Sequence, residues 1–234
     1  MTEPLPLVLV PGLTCTARLW QPQIEALWSC GPVMVADHRR DDDIKAVAAR
    51  ILKVAPPQFA LAGLSYGGYI AFEIVRQAAP RVARLALLDT SARPDTPEQT
   101  ATRNTQIEMA KTGRYGELVD FAIQRYLHRD NQTDPALTGI VRQMIATTGP
   151  EAFVRQVKAI MSRPDSRPLL PSIRCPTLVL VGDSDLATPP DLNKEIADGI
   201  PGSRFVVVPH CGHLSTVEQP EAVNAALTRW LAGG

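Results

Sequence analysis

The chain of 234 residues carries 24 basic and 24 acidic side chains, with 45% hydrophobic and 21% charged residues, the balance of an ordinary soluble globular protein with one sizeable core and room for a smaller lobe. With no net charge and no basic block, it argues against nucleic acid or anionic membrane as a partner, and no apolar run approaches the roughly 18 residues of a bilayer span. Its cysteines, Cys15, Cys30, Cys175 and Cys211, are scattered without close pairing or metal-ligand spacing and read as reduced thiols.

In chain order, "MTEPLPLVLVPGLTC" opens with an apolar run that no Lys or Arg precedes and that prolines and an acidic residue interrupt; "GLTC" also lacks the residues of a lipoprotein cleavage site. A cytoplasmic chain without a signal peptide is expected. Short apolar runs then recur: "LVLV" (7–10), "VMVA" (33–36), "FALAG" (59–63), "LALLD" (85–89), "TLVLVG" (177–182) and "FVVV" (205–208). Runs apolar on both faces suit buried parallel strands joined by helical crossovers. Helical patterns fall at 41–54, where Ile44, Val47, Ile51 and Val54 share a face behind an expected acidic first turn, and at 67–79, 190–199 and 220–232. This alternation predicts an α/β fold, a doubly wound, mostly parallel sheet of about six strands.

More than eighty residues separate Asp89 from Cys175, with amphipathic patterns at 116–127, 137–148 and 151–162. So long a connection is not a structureless loop. The expected organisation is a core of residues 1–90 and 172–234 with a helical cap inserted at 91–171, hinged at the proline-rich "RPDTPEQ" and "RPDSRPLLP".

The chemistry centres on Gly63-Leu64-Ser65-Tyr66-Gly67, which follows a strand run and opens a helix. In this G-x-S-x-G context the glycines let strand and helix approach while the serine hydroxyl stands exposed, and the Tyr66 N–H lies at a helix N-terminus. A serine needs a base. His213, in "PHCGHLSTVEQP" between the last strand and the last helix, is the candidate, with His210 its rival; His38 and His128 read as surface residues. A carboxylate must orient the imidazole. "GDSDLATPP" offers Asp185 and Asp183, of which Asp185 is preferred because Gly182 and Asp183 turn the chain out of the strand; Asp89 is a third candidate.

Ser65, Asp185 and His213, in that chain order, resemble the α/β-hydrolase superfamily. "LVLVPGL" is similar to the oxyanion strand and loop of that family, "LAGLSYGG" to its elbow, "PTLVLVGDSDLATPP" to its acid loop and "GHLSTVEQPEAVNAALTRWL" to its histidine loop and last helix, so the likeness spans nearly the whole chain. It departs in two places. Pro11-Gly12 stands where members commonly carry His-Gly, and only six residues precede "LVLV", so the usual antiparallel hairpin is expected to be missing. The resemblance implies a carboxylic-ester hydrolase for small or medium apolar acyl groups, working through an acyl-enzyme, with Leu13 and Tyr66 backbone N–H groups as oxyanion donors. It calls for no metal or cofactor and no partner beyond a small ester substrate. A lactonase, carbon-carbon bond hydrolase, thioesterase or cofactor-free perhydrolase would share these residues, as would a ligand-binding member without turnover; dehalogenases and epoxide hydrolases of this fold carry Asp at the elbow. Trp20 is expected to anchor the first helix. Arg93 and Arg103 read as solvated charge that could alternatively hold a substrate carboxylate.

Overall fold

The structure, a computed structural model, describes residues 4–233. Leu7–Val10 (β1), Val33–Val35 (β2), Phe59–Leu64 (β3), Val82–Leu88 (β4), Thr177–Gly182 (β5) and Arg204–Val208 (β6) form one sheet in the order β2-β1-β3-β4-β5-β6. Every neighbouring pair is parallel, and no antiparallel strand occurs among the described residues. Both faces of the sheet are apolar because the central strands carry apolar side chains on both sides, with Arg84 of β4 and Arg204 of the edge strand β6 as charged exceptions. Leu7 and Leu9 enter one core layer with Ala60, Ala62, Leu64, Leu178 and Leu180, while Val8 and Val10 enter the other with Phe59, Leu61, Leu85, Leu87 and Val179. Each fully buried Leu or Val is worth about 1.5–3 kcal/mol of transfer free energy, and a register slip would still bury apolar side chains. The crossovers therefore fix the topology.

Helices cover both faces. Ile44–Val54 (here α2, following Gln21–Leu27, α1) and Tyr66–Ala78 (α3) pack on the second layer through Ile44, Val47, Ile51, Ile70 and Ile74. The acidic residues expected in the first turn of α2 lie just before it. Asp43 is its N-cap, and its carboxylate accepts from the Lys45 and Ala46 N–H groups, which stabilises a helix end more directly than a dipole contact. Trp20 is fully buried in the first layer beside α1.

Between β4 and β5 the chain forms Pro97–Lys111 (α4), Leu118–Tyr126 (α5) and Pro135–Met161 (α6). The two helical patterns expected at 137–148 and 151–162 are run together in α6, broken at Gly149, whose φ of 72° is outside helical space. Thr96 and Gln99 form a reciprocal capping box that starts α4 within the first hinge motif. Ile107, Ala110, Leu118, Phe153 and Val157 hold these helices to one another. Ala122, Ile123, Val141, Met144 and Ile145 continue into the core layer of the sheet. After β5 come Pro190–Gly199 (α7), Ser215–Glu218 (α8) and Pro220–Leu231 (α9). No described helix is long and apolar enough to cross a membrane.

Because β2 lies on one side of β1 and β3 on the other, the chain reverses direction across the sheet at the β1/β3 pair. Open parallel sheets leave a crevice at the carboxyl ends of strands at such a point. The residues that follow β1 and β3 are the Pro11–Thr14 loop and Ser65.

Candidate active site

Ser65 is the single residue between β3 and α3, with φ 56°. For a residue with a side chain this left-handed geometry costs about 1–3 kcal/mol and must be held by its surroundings. The Ser65 N–H donates to Leu88 O at 2.9 Å, and its carbonyl accepts from Thr90 Oγ1 at 2.8 Å and from Gly68 N at 2.8 Å. The motif glycines are required by space. A Cβ on Gly67 would run into the Val10 carbonyl, and one on Gly63 into the Gly67 backbone.

The chain turns at the ends of β5 and β6 bring the other two groups to this serine. His213 Nε2 lies 2.8 Å from Ser65 Oγ, and His213 Nδ1 lies 2.8 Å from Asp185 Oδ2. The Asp185 carboxylate accepts further hydrogen bonds from the N–H groups of Ala187 and Thr188, at 2.7 and 2.9 Å, and from Thr188 Oγ1 at 2.8 Å. Burial pushes its carboxyl upward, but the His213 charge and the bonds from His213 and Thr188 outweigh this and leave it below its ordinary value. Burial pulls the His213 imidazole down; the Asp185 charge and hydrogen bond outweigh that and hold it above the usual histidine range. With Asp185 ionised, Nδ1 carries the proton and Nε2 is free to accept from Ser65 Oγ.

The rival groups do other things. Asp183 accepts from the N–H groups of His210 and Cys211 at 3.0 and 3.1 Å and pins the turn after β6. Asp89 is fully buried; its carboxylate accepts from Gly182 N at 2.9 Å and from Ser215 Oγ, bracing the acid and histidine loops from below. Burial, then the neighbouring Asp185 charge, push the Asp89 carboxyl well above its ordinary value. His210 faces His128, with ring centroids 6.2 Å apart. His38 and His128, expected at the surface, are buried at 2% and 8% exposure. For His38 the reason is a long-range bond: its Nδ1 accepts from Gln156 Nε2 at 3.0 Å, and Gln156 Oε1 accepts from the Thr14 N–H at 3.1 Å. That bridge from the segment after β2 to α6 braces the Pro11–Thr14 loop, where Pro11 stands in place of the usual histidine. Burial depresses the His38 pKa to about 4, so its ring is neutral.

Leu13 lines a cavity of about 470 Å³ together with Ser65 and His213. No hydrogen bond among the described residues engages the Leu13 or Tyr66 N–H, while the Tyr66 ring is buried away from the cavity against His38. Helical side chains roof the space: Phe121 and Tyr126 line it, as do Arg103, Arg125 and Arg163. Met109, Tyr115, Val157 and Met161 instead hold the helices together. The walls are thus more polar than an apolar acyl pocket calls for. Among the described residues no group of three or more His, Cys, Asp or Glu is placed to hold a metal ion.

Two positioning residues escape the motif reading. Thr188 clamps Asp185 as an Asx-type turn before α7, a pattern that Asp-x-x-Thr followed by prolines could have signalled. Glu218 lies five residues beyond His213. Its carboxylate accepts from Gly212 N, Leu214 N, His128 N and Asn131 Nδ2 at 2.7–3.3 Å. With the His213 N–H donating to Tyr126 O at 2.7 Å, it ties the histidine loop to the segment after α5.

The chain as a whole matches a known family. Residues 7–226 match the model of the alpha/beta hydrolase family, and the chain is a member of it. A thermophilic esterase from Thermogutta terrifontis, solved with malate bound, is 34% identical, with a TM-score of 0.89 over 99% of this chain and 90% of that one. The enol-lactonase from Burkholderia xenovorans LB400 is 27% identical, with a TM-score of 0.88 over 98% and 92% of the two chains. Among curated relatives, a putative non-heme bromoperoxidase, BpoC, of Mycobacterium tuberculosis is 27% identical over 97% of this chain and 94% of its own.

Proposed function

We propose that this hydrolase cleaves carboxylic esters through an acyl-enzyme on Ser65. The observation that carries the reading is the unbroken line from Ser65 Oγ through His213 to Asp185, both links 2.8 Å long, beside a cavity of about 470 Å³. Ser65 Oγ attacks the ester carbonyl as His213 Nε2 takes its proton. The Leu13 and Tyr66 N–H groups, free of protein acceptors, hold the developing oxyanion at the N-terminus of α3. His213 then protonates the leaving alcohol, and a water activated by the same imidazole releases the acid. Residues 91–171 act as a cap whose helices shape the acyl and leaving-group sites.

The esterase and enol-lactonase among the similar structures support ester chemistry in this fold; a lactone is an intramolecular ester and would be opened by the same steps. The test is hydrolysis of p-nitrophenyl esters of increasing acyl length by the wild type and Ser65→Ala. Turnover that favours short chains and is lost in the variant is the expected result; activity retained by the variant removes Ser65 from the mechanism.

A further inference from the structure

We infer that the cavity takes an ester whose acyl or alcohol part carries a carboxylate, bound by Arg103 and Arg125; this rests on the hydrolase reading and names its substrate class. Each helix of the β4–β5 connection delivers one arginine to the same cavity as Ser65 and His213: Arg103 from α4, Arg125 from α5 and Arg163 just beyond α6.

The local acids do not balance them. Asp95, its side chain only 4% exposed, is shared by two guanidiniums: Arg103 Nε at 2.5 Å and Arg163 Nη2 at 2.8 Å. Burial of two cations against one anion leaves a net positive charge in a poorly solvated place, where a second anion is favoured. The donors of Arg163 are spent. Its Nε and Nη1 donate to the carbonyls of Arg93 and Ile160 at 3.1 and 2.9 Å, and its guanidinium lies 4.2 Å from the Tyr69 ring centroid. Arg103 gives Nε and Nη2 to Asp95 and keeps Nη1 without a protein acceptor. Arg125 forms no ion pair or hydrogen bond among the described residues although it lines the cavity. Arg93 is neutralised by Glu195 at 2.9 Å, and Glu98 is an exposed acid on the cavity rim. A planar carboxylate meets the remaining guanidinium edges with charge-assisted hydrogen bonds.

The experiment compares monomethyl glutarate with dimethyl glutarate, in two readouts. Affinity is measured by ligand-observed NMR titration of Ser65→Ala, and turnover by ester hydrolysis with the wild type. The half ester is expected to bind at least about tenfold more tightly than the diester. Adding Arg125→Gln should collapse that ratio, with Arg125→Lys restoring part of it, and raised salt should shrink it. Arg125 is exposed and unpaired, so its replacement leaves folding intact, whereas Arg103→Gln disturbs a buried pair and serves as a second variant. Equal affinity for the two esters, or a preference that survives both Arg125→Gln and Arg103→Gln, overturns the proposal. Wild-type turnover of either ester reads the hydrolase assignment separately, since binding to Ser65→Ala does not depend on it.

Discussion

The sheet and the helices inserted after β4 contribute differently to one site. The sheet supplies Ser65, Asp185 and His213 from turns at the ends of β3, β5 and β6, each locked by backbone hydrogen bonds to a neighbouring strand or loop. The inserted helices supply the walls, with side chains such as Phe121 and Arg125 that are exposed and lightly held. The strand ends hold the candidate catalytic groups, while the inserted layer, tied to the core by bonds such as the Thr14 N–H to Gln156 and the His213 N–H to Tyr126 O, leaves the side chains that face the cavity less constrained. Substitutions on the sheet side should therefore act on kcat and those on the helical side on selectivity.

The three carboxylates at the strand ends test the first half most sharply. Asp185→Asn should lower kcat by about 10²–10⁴-fold, because the amide no longer stabilises the imidazolium or fixes its tautomer. Asp183→Asn should change kcat by less than about tenfold, and Asp89→Asn also, since the Asp89 carboxylate meets Gly182 N and Ser215 Oγ and not the His213 ring. Steady-state kinetics on folded variants decides; Asp183 or Asp89 proving more damaging than Asp185 would overturn the choice of acid.

The same pair governs pH dependence. His213 must be neutral to take the serine proton, and its pKa lies above the roughly 6.5 of a free histidine, so kcat/KM should fall as pH drops through a midpoint above that value. In Asp185→Asn the burial remains and the opposing charge is gone, so the midpoint should move to lower pH. An unmoved acid limb would show that another group sets it.

Glu218 joins the two regions and should affect both. Glu218→Gln turns one acceptor oxygen into a donor facing N–H groups. A loss of about 2 kcal/mol is expected from the unsatisfied bonds, or roughly 4–8 °C in Tm, with a fall in kcat of up to about tenfold as the His213 loop loosens. Unchanged Tm and kcat would mean that the clamp is incidental. The smallest effect belongs to Phe121→Ala on the helical side, which should shift acyl-length preference toward longer chains by less than about tenfold and leave Tm nearly unchanged; a large loss of kcat would show that the roof also positions the ester.

The sheet was readable in the sequence because its strands are short runs apolar on both faces, a pattern tied to parallel pairing, and because glycines around Ser65 leave few alternatives for the backbone. Asp185 could be preferred over Asp183 from where the turn had to fall. The cavity walls were not readable: helical spacing marks Phe121 and Val157 alike as apolar, and only packing separates the lining residue from the buried one. His38 and Glu218 escaped for a related reason. Their partners, Gln156 and the His128–Asn131 segment, lie far away in sequence, and no local pattern announces a long-range hydrogen bond.

The most direct measurement is peptide mass spectrometry after reaction with a fluorophosphonate, which forms a stable adduct with an activated serine hydroxyl. One adduct on the peptide containing Ser65, blocked by prior incubation with a short-chain ester phosphonate and absent in His213→Ala, is the expected result. An unlabelled Ser65 in the folded wild type, or equal labelling without His213, would contradict a nucleophile activated by that imidazole.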